Sequence, residues 1–510
     1  MNNILTKSTY IEGLKCEKLL WLQTYMPDLI KPPSAFDLKL MEDGNEVGEL
    51  VQQLYPQGHS VNLAKLIERI NYTKRLMDKG TEVIFEATFF FDSIEVRIDA
   101  LIKTKEGYEI REIKSSTTGN ANDPRKKKEM EMFIHDVSIQ YYVLNALGIQ
   151  VSKSFVVLLD STYTRKNALD VKALFEPIDV SQRVLDLQDS IPEKSHDLKQ
   201  IISDSKVEPD VDIGTHCHIN GKKCPAKKYC WQVQRDIPDY SVFEIFDLGK
   251  KSLALYADGI VKIEEIPDGY ELTTIRKFRI EHWKNKTGSI DLEEIGKFIS
   301  NLRFPLFHLD FETFNPAIPQ YSNNRPYQHI PFQYSLHIED KNGLEHKEFL
   351  GDPRIDPREE LICRLLSDIR GDSSVIVYSN FESRRIKELA EDFPDYADEL
   401  LSILERIIDF EKIFKSRHFY SYKLKQKWSI KEIMPLLVPS MKDKYRDLEE
   451  SNKVSNGEEA VMAFKELLIE NDSAKLEKIR RELLDYCELD SLSTVESLRV
   501  IMEKYYYTLR

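Results

Sequence analysis

The sequence predicts a mixed α/β protein, and three observations support this fold class. Runs such as EVRIDALIK and HLDFETF alternate with the period of two that is typical of β-strands. The run SSVIVYS is short with an apolar centre, as expected for a strand buried inside a sheet. Long stretches of helical periodicity separate these runs, and 510 residues are enough for two or three domains with cores of their own.

Residues 1–235 are predicted to form the first domain. Two helices, a three-stranded meander, a further helix and an apolar strand follow in this order: 6–24, 37–54, 83–91, 94–103, 108–114, 136–147 and 154–159. This order predicts a small sheet with a helix packed against it.

Residues 236–303 are predicted to be a small helical linker unit. Its stretch LALYADGIVKIEEIP has an apolar helix, a turn at Gly259 and a second short helix. This pattern is similar to a helix-hairpin-helix module, and a plain helical linker is the alternative. Residues 304–510 are predicted to be a second α/β domain with four strands and long helices over 457–470 and 474–503.

Composition and charge narrow the class of protein. The chain is 41% hydrophobic and 31% charged, and its net charge of −14 argues against a broadly basic, non-specific nucleic-acid binder. No stretch approaches the roughly 18 apolar residues of a membrane helix, so no membrane partner is expected. The first residues lack the apolar core of a signal peptide, so a cytoplasmic location is the default prediction.

Four cysteines indicate a metal site, since cysteine clusters in a reducing cytosol bind metals more often than they form disulfides. They are Cys16, Cys217, Cys224 and Cys230. Four thiolates can hold Zn²⁺ or an iron–sulfur cluster, and His216 or His218 could compete as ligands for zinc. The other two cysteines, Cys363 and Cys487, lie in apolar helical surroundings and are expected to be ordinary buried thiols.

Two neighbouring strand-like runs carry a first set of candidate site residues. Period two puts Asp99 on one face of EVRIDALIK, and Glu112 with Lys114 on one face of YEIREIKSS. Pairing the runs as a hairpin would bring the three side chains together. Two carboxylates suit Mg²⁺ or Mn²⁺, and a lysine can orient the water that such an ion activates. A surface hairpin with ion pairs is the alternative.

A second set lies in the last third of the chain. Asp310 and Glu312 share one face of HLDFETF, and two carboxylates on a core strand are costly unless they bind something. Glu382 follows the apolar strand SSVIVYS. In LLDYCELDSLSTV, Tyr486 and Asp490 are four residues apart, on one face of a helix. These residues predict a second site that binds divalent metal ions.

The first set resembles the PD-(D/E)XK nuclease superfamily. The resemblance rests on an Asp and an E-x-K motif on adjacent strands, followed by a helix that carries Gln140. The most similar branch is that of RecB-like nucleases with a four-cysteine cluster, as in AddB and CRISPR-adaptation nucleases, where one cysteine precedes the core and three follow it. The resemblance implies Asp99 and Glu112 as metal ligands, Lys114 as the catalytic lysine and Gln140 as a motif glutamine.

The same resemblance bears on the cofactor and on a missing ligand. It implies a [4Fe–4S] cluster at the four cysteines, with Zn²⁺ as the alternative. Many members carry a metal-binding histidine in an early helix, where this chain has Gly48. Either Glu46 or Glu49 substitutes for it, or this ligand is absent.

The second set resembles the DnaQ-like DEDD exonucleases of the ribonuclease-H fold, in their tyrosine-type variant. The resemblance implies Asp310, Glu312, Glu382 and Asp490 as metal ligands, and Tyr486 as the residue that orients the attacking water. Glu382 stands where these enzymes usually have aspartate. Asp409 is a further carboxylate in a similar position, for which we expect a structural role.

Together the two halves resemble a prokaryotic fusion family, catalogued mainly as a domain of unknown function, in which a RecB-like half precedes a DnaQ-like half. This predicts a divalent-metal-dependent nuclease with two hydrolytic sites, acting on DNA more than on RNA. The first site would act on single strands or ends, and the second would trim 3′ ends. The alternatives are a nucleic-acid-binding scaffold with one inactive site, and a ribonuclease.

Overall fold

A computed structural model describes residues 4–120, 122–219, 222–245, 249–451 and 453–506. It confirms the mixed α/β class and divides the chain into two compact units. The first unit comprises residues 1–237 and 316–328, and the second comprises residues 238–315 and 329–510. No helix within the described ranges is both long enough and apolar enough to cross a membrane.

The first unit is built from short and long helices around a seven-stranded main sheet, and its last two strands form a separate two-stranded sheet. Its helices are α1 (Lys7–Lys15), α2 (Glu17–Tyr25), α3 (Ala35–Gln52), α4 (Leu66–Asp78), α5 (Pro124–Ala146), α6 (Val171–Leu174), α7 (Ser181–Asp186) and α8 (Ile191–Ser203). Its strands are β1 (Leu5–Thr6), β2 (His59–Ser60), β3 (Val83–Phe91), β4 (Ile94–Thr104), β5 (Gly107–Thr117), β6 (Val151–Leu159), β7 (Phe175–Asp179), β8 (His218–Ile219) and β9 (Lys222–Lys223).

The main sheet of this unit has the order β2-β3-β4-β5-β6-β7, and β1 pairs with the start of β4. Strands β3, β4 and β5 form the predicted antiparallel meander, and β6 joins β5 in parallel. The apolar face of α5, with Ile134, Val137 and Val143, packs in one core with Ile98 and Ile110 of the meander. A crossover helix on the sheet is the usual way to connect parallel strands such as β5 and β6.

The structure corrects the helix that was expected over residues 6–24. Cys16 has an extended backbone (φ −166°, ψ 118°), which ends α1 and starts α2. Its amide still bonds to Glu12, and its carbonyl accepts from Leu20. The break therefore costs few backbone hydrogen bonds, and it sets a cysteine at a helix junction.

The second unit has more helices and a smaller sheet. Its helices are α9 (Lys250–Ala257), α10 (Thr274–Asn285), α11 (Leu292–Ser300), α12 (Arg358–Asp368), α13 (Phe381–Asp392), α14 (Ala397–Glu405), α15 (Lys412–Lys415), α16 (Ile430–Leu437), α17 (Lys444–Glu450), α18 (Gly457–Ile469) and α19 (Ser473–Ile501). Its strands are β10 (Gly288–Ile290), β11 (Leu306–Phe314), β12 (Ile330–Asp340), β13 (Gly343–Leu350), β14 (Val375–Val377), β15 (Ile407–Asp409) and β16 (Phe419–Ser421).

The five-stranded sheet of this unit has the order β13-β12-β11-β14-β15. The first three strands are antiparallel to their neighbours, whereas β14 and β15 run parallel to β11. The central strand β11 is therefore flanked on both sides, and the long helix α19 contacts both β11 and β12. This arrangement brings residues of α19 next to the strand that carries the predicted carboxylates.

The segment expected to be a linker belongs to the second unit by its contacts. After α9 and the turn at Gly259 (φ +78°), the second predicted helix is only a 3₁₀ turn at Ile263–Glu265. Strand β10 pairs with β16, and Tyr420 packs against Phe278 of α10. The three-part domain division stays a prediction beside this two-unit division.

Candidate active sites and a thiol cluster

The first candidate site lies where β5 separates from β4. Their ladder ends at the pair of Ala100 and Arg111, and beyond it the amide of Ile113 donates to Asp99 Oδ2 at 2.8 Å. The side chain of Asp99 thus takes the place of a backbone partner. This opening of the hairpin brings Asp99 beside Glu112, as the alternation of the two strands predicts.

Glu112 is the centre of this site and is 1% exposed. Lys114 Nζ donates to Glu112 Oε1 at 2.7 Å, and Gln140 Nε2 donates to Glu112 Oε2 at 2.7 Å. Lys114 also donates to Asp136 Oδ2 at 2.6 Å. The structure therefore gathers the four predicted residues and adds Asp136, which lies one helical turn before Gln140 on α5.

Sequence reasoning missed a second lysine in this site. Lys7 Nζ lies 2.8 Å from Glu112 Oε1, 3.4 Å from Asp99 Oδ1 and 3.9 Å from Asp136 Oδ1. Lys7 is the first residue of α1, and Thr6 caps that helix while pairing with β4. No local pattern reveals this contact, because it depends on the pairing of β1 with a strand some ninety residues later.

Charge compensation sets the ionisation of this site. Burial raises the pKa of Asp99 to about 7, and Glu112 adds to that rise. Burial would also raise the pKa of Glu112, but Lys114 and Lys7 outweigh it and hold the pKa below its usual range. Burial lowers the pKa of Lys7, yet Asp136, Asp99 and Glu112 raise it well above normal, so Lys7 is a cation here.

The early helix α3 supplies no histidine, and neither of the two glutamates expected to substitute for it is buried. Glu46 and Glu49 are both exposed on α3, and a Cβ added at Gly48 would meet nothing within 4 Å. The position between Asp99 and Glu112 is instead taken by the Lys7 ammonium.

The second candidate site lies on the central strand β11. Asp310 and Glu312 project from it, and Glu312 is 8% exposed. Glu382, 3% exposed, lies in the first turn of α13 after β14, and Tyr486 and Asp490 come from α19. The five predicted residues lie in one region of the second unit. Asp310, Asp490 and Glu382 are close enough to Glu312 to raise its pKa.

Burial raises the pKa of these carboxyls, and their mutual repulsion raises most of them further. Burial and then Asp490 raise the pKa of Asp310 well above normal, and burial and then Asp310 do the same for Glu312 and Glu382. Burial also raises the pKa of Asp490. Buried carboxyls that repel one another are suited to bind divalent cations, which remove the cost of ionising them together.

Three further residues complete this site, and sequence reasoning did not find their roles. The Tyr445 hydroxyl donates to Asp490 Oδ1 at 2.5 Å, and Lys431 Nζ donates to the Tyr486 hydroxyl at 3.1 Å. Cys487 Sγ lies 3.4 Å from Asp310 Oδ2, so this thiol is part of the acidic site and not an ordinary core residue. Cys363, also expected to be buried, is exposed.

The side chain of Glu382 has an unpaired oxygen, and the turn that precedes it is held by Asp409. Glu382 Oε2 is buried without a hydrogen-bond partner. The turn before it contains Ser379 at φ +90°, whose amide donates to Asp409 Oδ1 at 3.0 Å. Asp409 also accepts from the amide of Glu411 at 2.9 Å, so it supports the turn that presents Glu382, the structural role expected for it.

The four predicted cysteines of the first unit line one small cavity, together with His216, Ile213 and Trp231. Cys16 comes from the α1–α2 junction, and the amide of Cys224 donates to the carbonyl of Cys217 at 3.0 Å. The side chain of His218 lies outside the described residues. The cavity therefore joins two parts of the chain that are two hundred residues apart.

When no metal is bound, burial makes the thiols of Cys224 and Cys230 harder to ionise than a free thiol. Burial raises the pKa of Cys224 to about 12 and that of Cys230 to about 11, and the neighbouring cysteines contribute. The amides of Lys18 and Leu19 donate to Cys16 and partly offset the effect of burial on its pKa. Such N–H donors are suited to a thiolate that binds a metal.

Two comparisons with known proteins bear on the chain. Residues 307–429 match the family described as Domain of unknown function (DUF2779). This matched range contains Asp310, Glu312 and Glu382. The chain is also similar to Uncharacterized protein MG366 of Mycoplasma genitalium, with 24% identity over 244 residues. The matched region covers 44% of this chain and 36% of that protein, so the chain spans little more than a third of the relative's length.

Proposed function

We propose that the protein is a divalent-metal-dependent nuclease that acts on DNA more than on RNA. One observation carries the proposal: Glu312, Glu382 and Asp490 are buried, Asp310 lies partly buried among them, and all four have raised pKa values. Within the described ranges, no Lys, Arg or His side chain forms an ion pair with any of them. Ionising these carboxyls together is costly without cations from solution, and carboxylate oxygens are the ligands of Mg²⁺ and Mn²⁺.

The proposed chemistry assigns a part to each side chain. Mg²⁺ or Mn²⁺ bound by these four carboxylates would activate a water and stabilise the oxygen that leaves the phosphodiester. The Lys431 ammonium donates to the Tyr486 hydroxyl, and that hydroxyl in turn donates to Asp490, so the two contacts hold Tyr486 beside the carboxylates. Tyr445 fixes the orientation of Asp490 through its hydroxyl. These residues support a DEDD-type site on a ribonuclease-H-like unit.

The first unit is proposed to be a RecB-like PD-(D/E)XK unit, and the contacts of Lys114 and Gln140 with Glu112 support this. Its fit to a metal is incomplete, since the Lys7 ammonium lies between Asp99 and Glu112. A divalent ion would have to displace Lys7. This observation favours a second candidate function, in which the first unit binds nucleic acid without cleaving it.

At the cysteine cavity we propose a [4Fe–4S] cluster, with Zn²⁺ as the alternative. Tetrahedral zinc at about 2.3 Å from each sulfur holds the sulfurs roughly 4 Å apart. Among the described residues, the groups whose ligand atoms lie within 4.8 Å of one another do not include these cysteines. Thiols that share a cavity at wider spacing favour the larger cluster.

The nuclease proposal is tested with labelled single-stranded DNA and matched RNA, with Mn²⁺ or Mg²⁺. The wild type should shorten DNA faster than RNA, Asp310→Asn should lose most activity, and Asp99→Asn should remove any remainder. Asp485→Asn, a change in the partly exposed ion pair of Asp485 with Lys453, is the matched control. Undiminished shortening in the double variant Asp99→Ala/Asp310→Ala would refute the nuclease, whereas no remainder in Asp310→Asn would favour the non-cleaving first unit.

The cluster is tested by purification without oxygen. The wild type and Cys363→Ser, a change at an exposed cysteine, should contain about four irons and absorb broadly in the visible range, whereas Cys224→Ser should not. Zinc alone in the wild type would rule out the iron–sulfur cluster.

A further inference from the structure

A third group of polar side chains lies between α19 and the edge of the second sheet. His337 of β12 and His346 of β13 are directly opposite each other, and their rings stack with centroids 4.5 Å apart. Glu488 of α19 approaches them, with 3.8 Å between its Oε1 and His346 Nδ1. One ligand atom from each of these three residues lies within 4.8 Å of the other two.

A chain of hydroxyl groups determines which ring nitrogen of each histidine carries hydrogen. The Ser491 hydroxyl donates to the carbonyl of Glu488 at 3.1 Å, so its oxygen accepts from His337 Nδ1 at 2.8 Å. The Ser335 hydroxyl donates to Ser491 Oγ at 2.7 Å, and its oxygen accepts from His346 Nε2 at 2.9 Å. Both protons are therefore on the nitrogens that face the serines.

In the neutral form of each ring, the other two nitrogens carry the lone pairs. These are His337 Nε2 and His346 Nδ1, and the latter is the atom that faces Glu488. A histidine that binds a metal typically donates its second ring N–H to a neighbouring acceptor, which fixes the orientation of the ring. The two serines supply this acceptor for both rings at once.

The burial and the charge of these three side chains also suit a bound metal ion. His337 is 3% exposed, and burial, followed by the proximity of His346, lowers its pKa to about 3, so the ring stays neutral. The side chains of His346 and Glu488 are 23% and 43% exposed. The site thus has a buried ligand, a partly exposed ligand and a carboxylate at the surface, which leaves a path for an ion from solvent.

We propose that His337, His346 and Glu488 bind a zinc ion. Two imidazoles and one carboxylate form a ligand set typical of zinc with a water in the fourth position. The ligand atoms lie somewhat further apart than in a closed site, and the half-exposed arm of Glu488 can close that gap. The ion fastens α19 to strands β12 and β13, close in sequence to Tyr486 and Asp490 on the same helix, and it does not depend on a nuclease activity.

The test uses the full chain, freed of metal and titrated with Zn²⁺ against a coloured chelator. The wild type is expected to bind one zinc more than His346→Gln or Glu488→Gln, whose affinity at this site falls at least about 100-fold. His418→Gln, whose side chain is 29% exposed, is the control and should bind as the wild type does. Zinc should raise the melting temperature of the wild type and the control more than that of the two variants.

Cobalt separates this site from the cysteine cavity. Co²⁺ bound to thiolates gives a strong ultraviolet charge-transfer band, whereas Co²⁺ bound by nitrogen and oxygen gives only weak visible bands. The variants should lose visible intensity and keep the thiolate band. Equal zinc stoichiometry and equal cobalt spectra in the wild type, His346→Gln and Glu488→Gln would overturn the proposal. If His346→Gln does not fold, Glu488→Gln alone decides, because its side chain is the more exposed.

Discussion

The two carboxylate sites differ in what balances their negative charge. In the first, Asp99, Glu112 and Asp136 share two lysines, and Lys7 lies within 4 Å of all three. In the second, Lys431 lowers the pKa values of Asp310, Glu312 and Asp490, and its ammonium donates to Tyr486 and to the carbonyl of Ser455. The protein's own lysines compensate the first site, whereas we propose that cations from solution compensate the second.

This difference shows that similar acidic motifs do not imply the same readiness to bind metal. Removing a charge partner from a buried site leaves an unpaired charge, which is costly. In the first site a metal must compete with an ammonium that is already in place. In the second site a metal relieves repulsion between groups that otherwise hold their protons.

Asp310→Asn should lower the proposed nuclease activity about 10³-fold or more, since it removes one of the proposed metal ligands. Asp99→Asn should lower the activity on the same DNA less than about 10-fold. The ratio of kcat/KM values for the two variants measures the difference. Equal losses would show that both sites contribute equally to the activity, which would contradict the proposed difference between them.

Lys7→Ala should lower the free energy of unfolding by about 3 kcal/mol in EDTA, because it leaves buried carboxylates without their partner. Mn²⁺ should restore stability to this variant more than to the wild type, which calorimetry can measure. Lys15→Ala is the control on the same helix, because its pair with Glu12 is partly exposed and is expected to contribute below about 1 kcal/mol. A Lys7→Ala protein that is as stable as the wild type in EDTA would contradict the role given to Lys7.

Tyr445→Phe should lower kcat about 10- to 100-fold by removing the hydroxyl that holds Asp490. A higher Mn²⁺ concentration should recover part of this loss, since the ligand is displaced and not removed. Tyr396→Phe removes a hydroxyl that bonds to Glu359 elsewhere in the second unit, and it should leave kcat unchanged. An unchanged kcat in Tyr445→Phe would show that the hydrogen bond from Tyr445 is not needed to orient Asp490.

The metal-free protein should lose stability as pH rises. Folding raises the pKa of Asp310, Glu312 and Glu382, so the folded state holds more protons than the unfolded state. Stability is therefore greatest below the unfolded pKa of roughly 4 and falls as pH rises towards and through the folded values. Melting temperatures in EDTA should drop by a few degrees between about pH 5 and pH 8, and Mn²⁺ or Asp310→Asn should reduce that drop. A flat profile in EDTA would argue against strong coupling of these carboxyls.

Local patterns in the sequence predict much of this architecture. Alternation identifies β3, β4, β5 and β11 within a few residues, and it puts Asp99, Glu112 and Lys114 on faces that do meet. Helical spacing likewise groups Tyr486 with Asp490. These features depend on residues that are close in sequence, where periodicity carries the information.

The missed features depend on contacts between distant parts of the chain. Lys7 reaches the first site only because β1 pairs with β4, and Tyr445 reaches Asp490 from a short helix, α17, without a distinctive pattern. Asp136 is the exception, since its spacing of four from Gln140 on a predicted helix could have identified it. The backbone break at Cys16 is invisible to periodicity because the residues on both sides are helical.

Residues 316–328 have a consequence for how the protein is made. They follow β11 in the chain but belong to the first unit, where Ala317, Ile318 and Tyr327 pack with Val47 and Leu174. On the ribosome, the first unit therefore lacks part of its core until residue 328 has been synthesised. By the same reasoning, expression of residues 1–237 alone should expose that apolar surface, so the shortest soluble fragment of the first unit has to include 316–328.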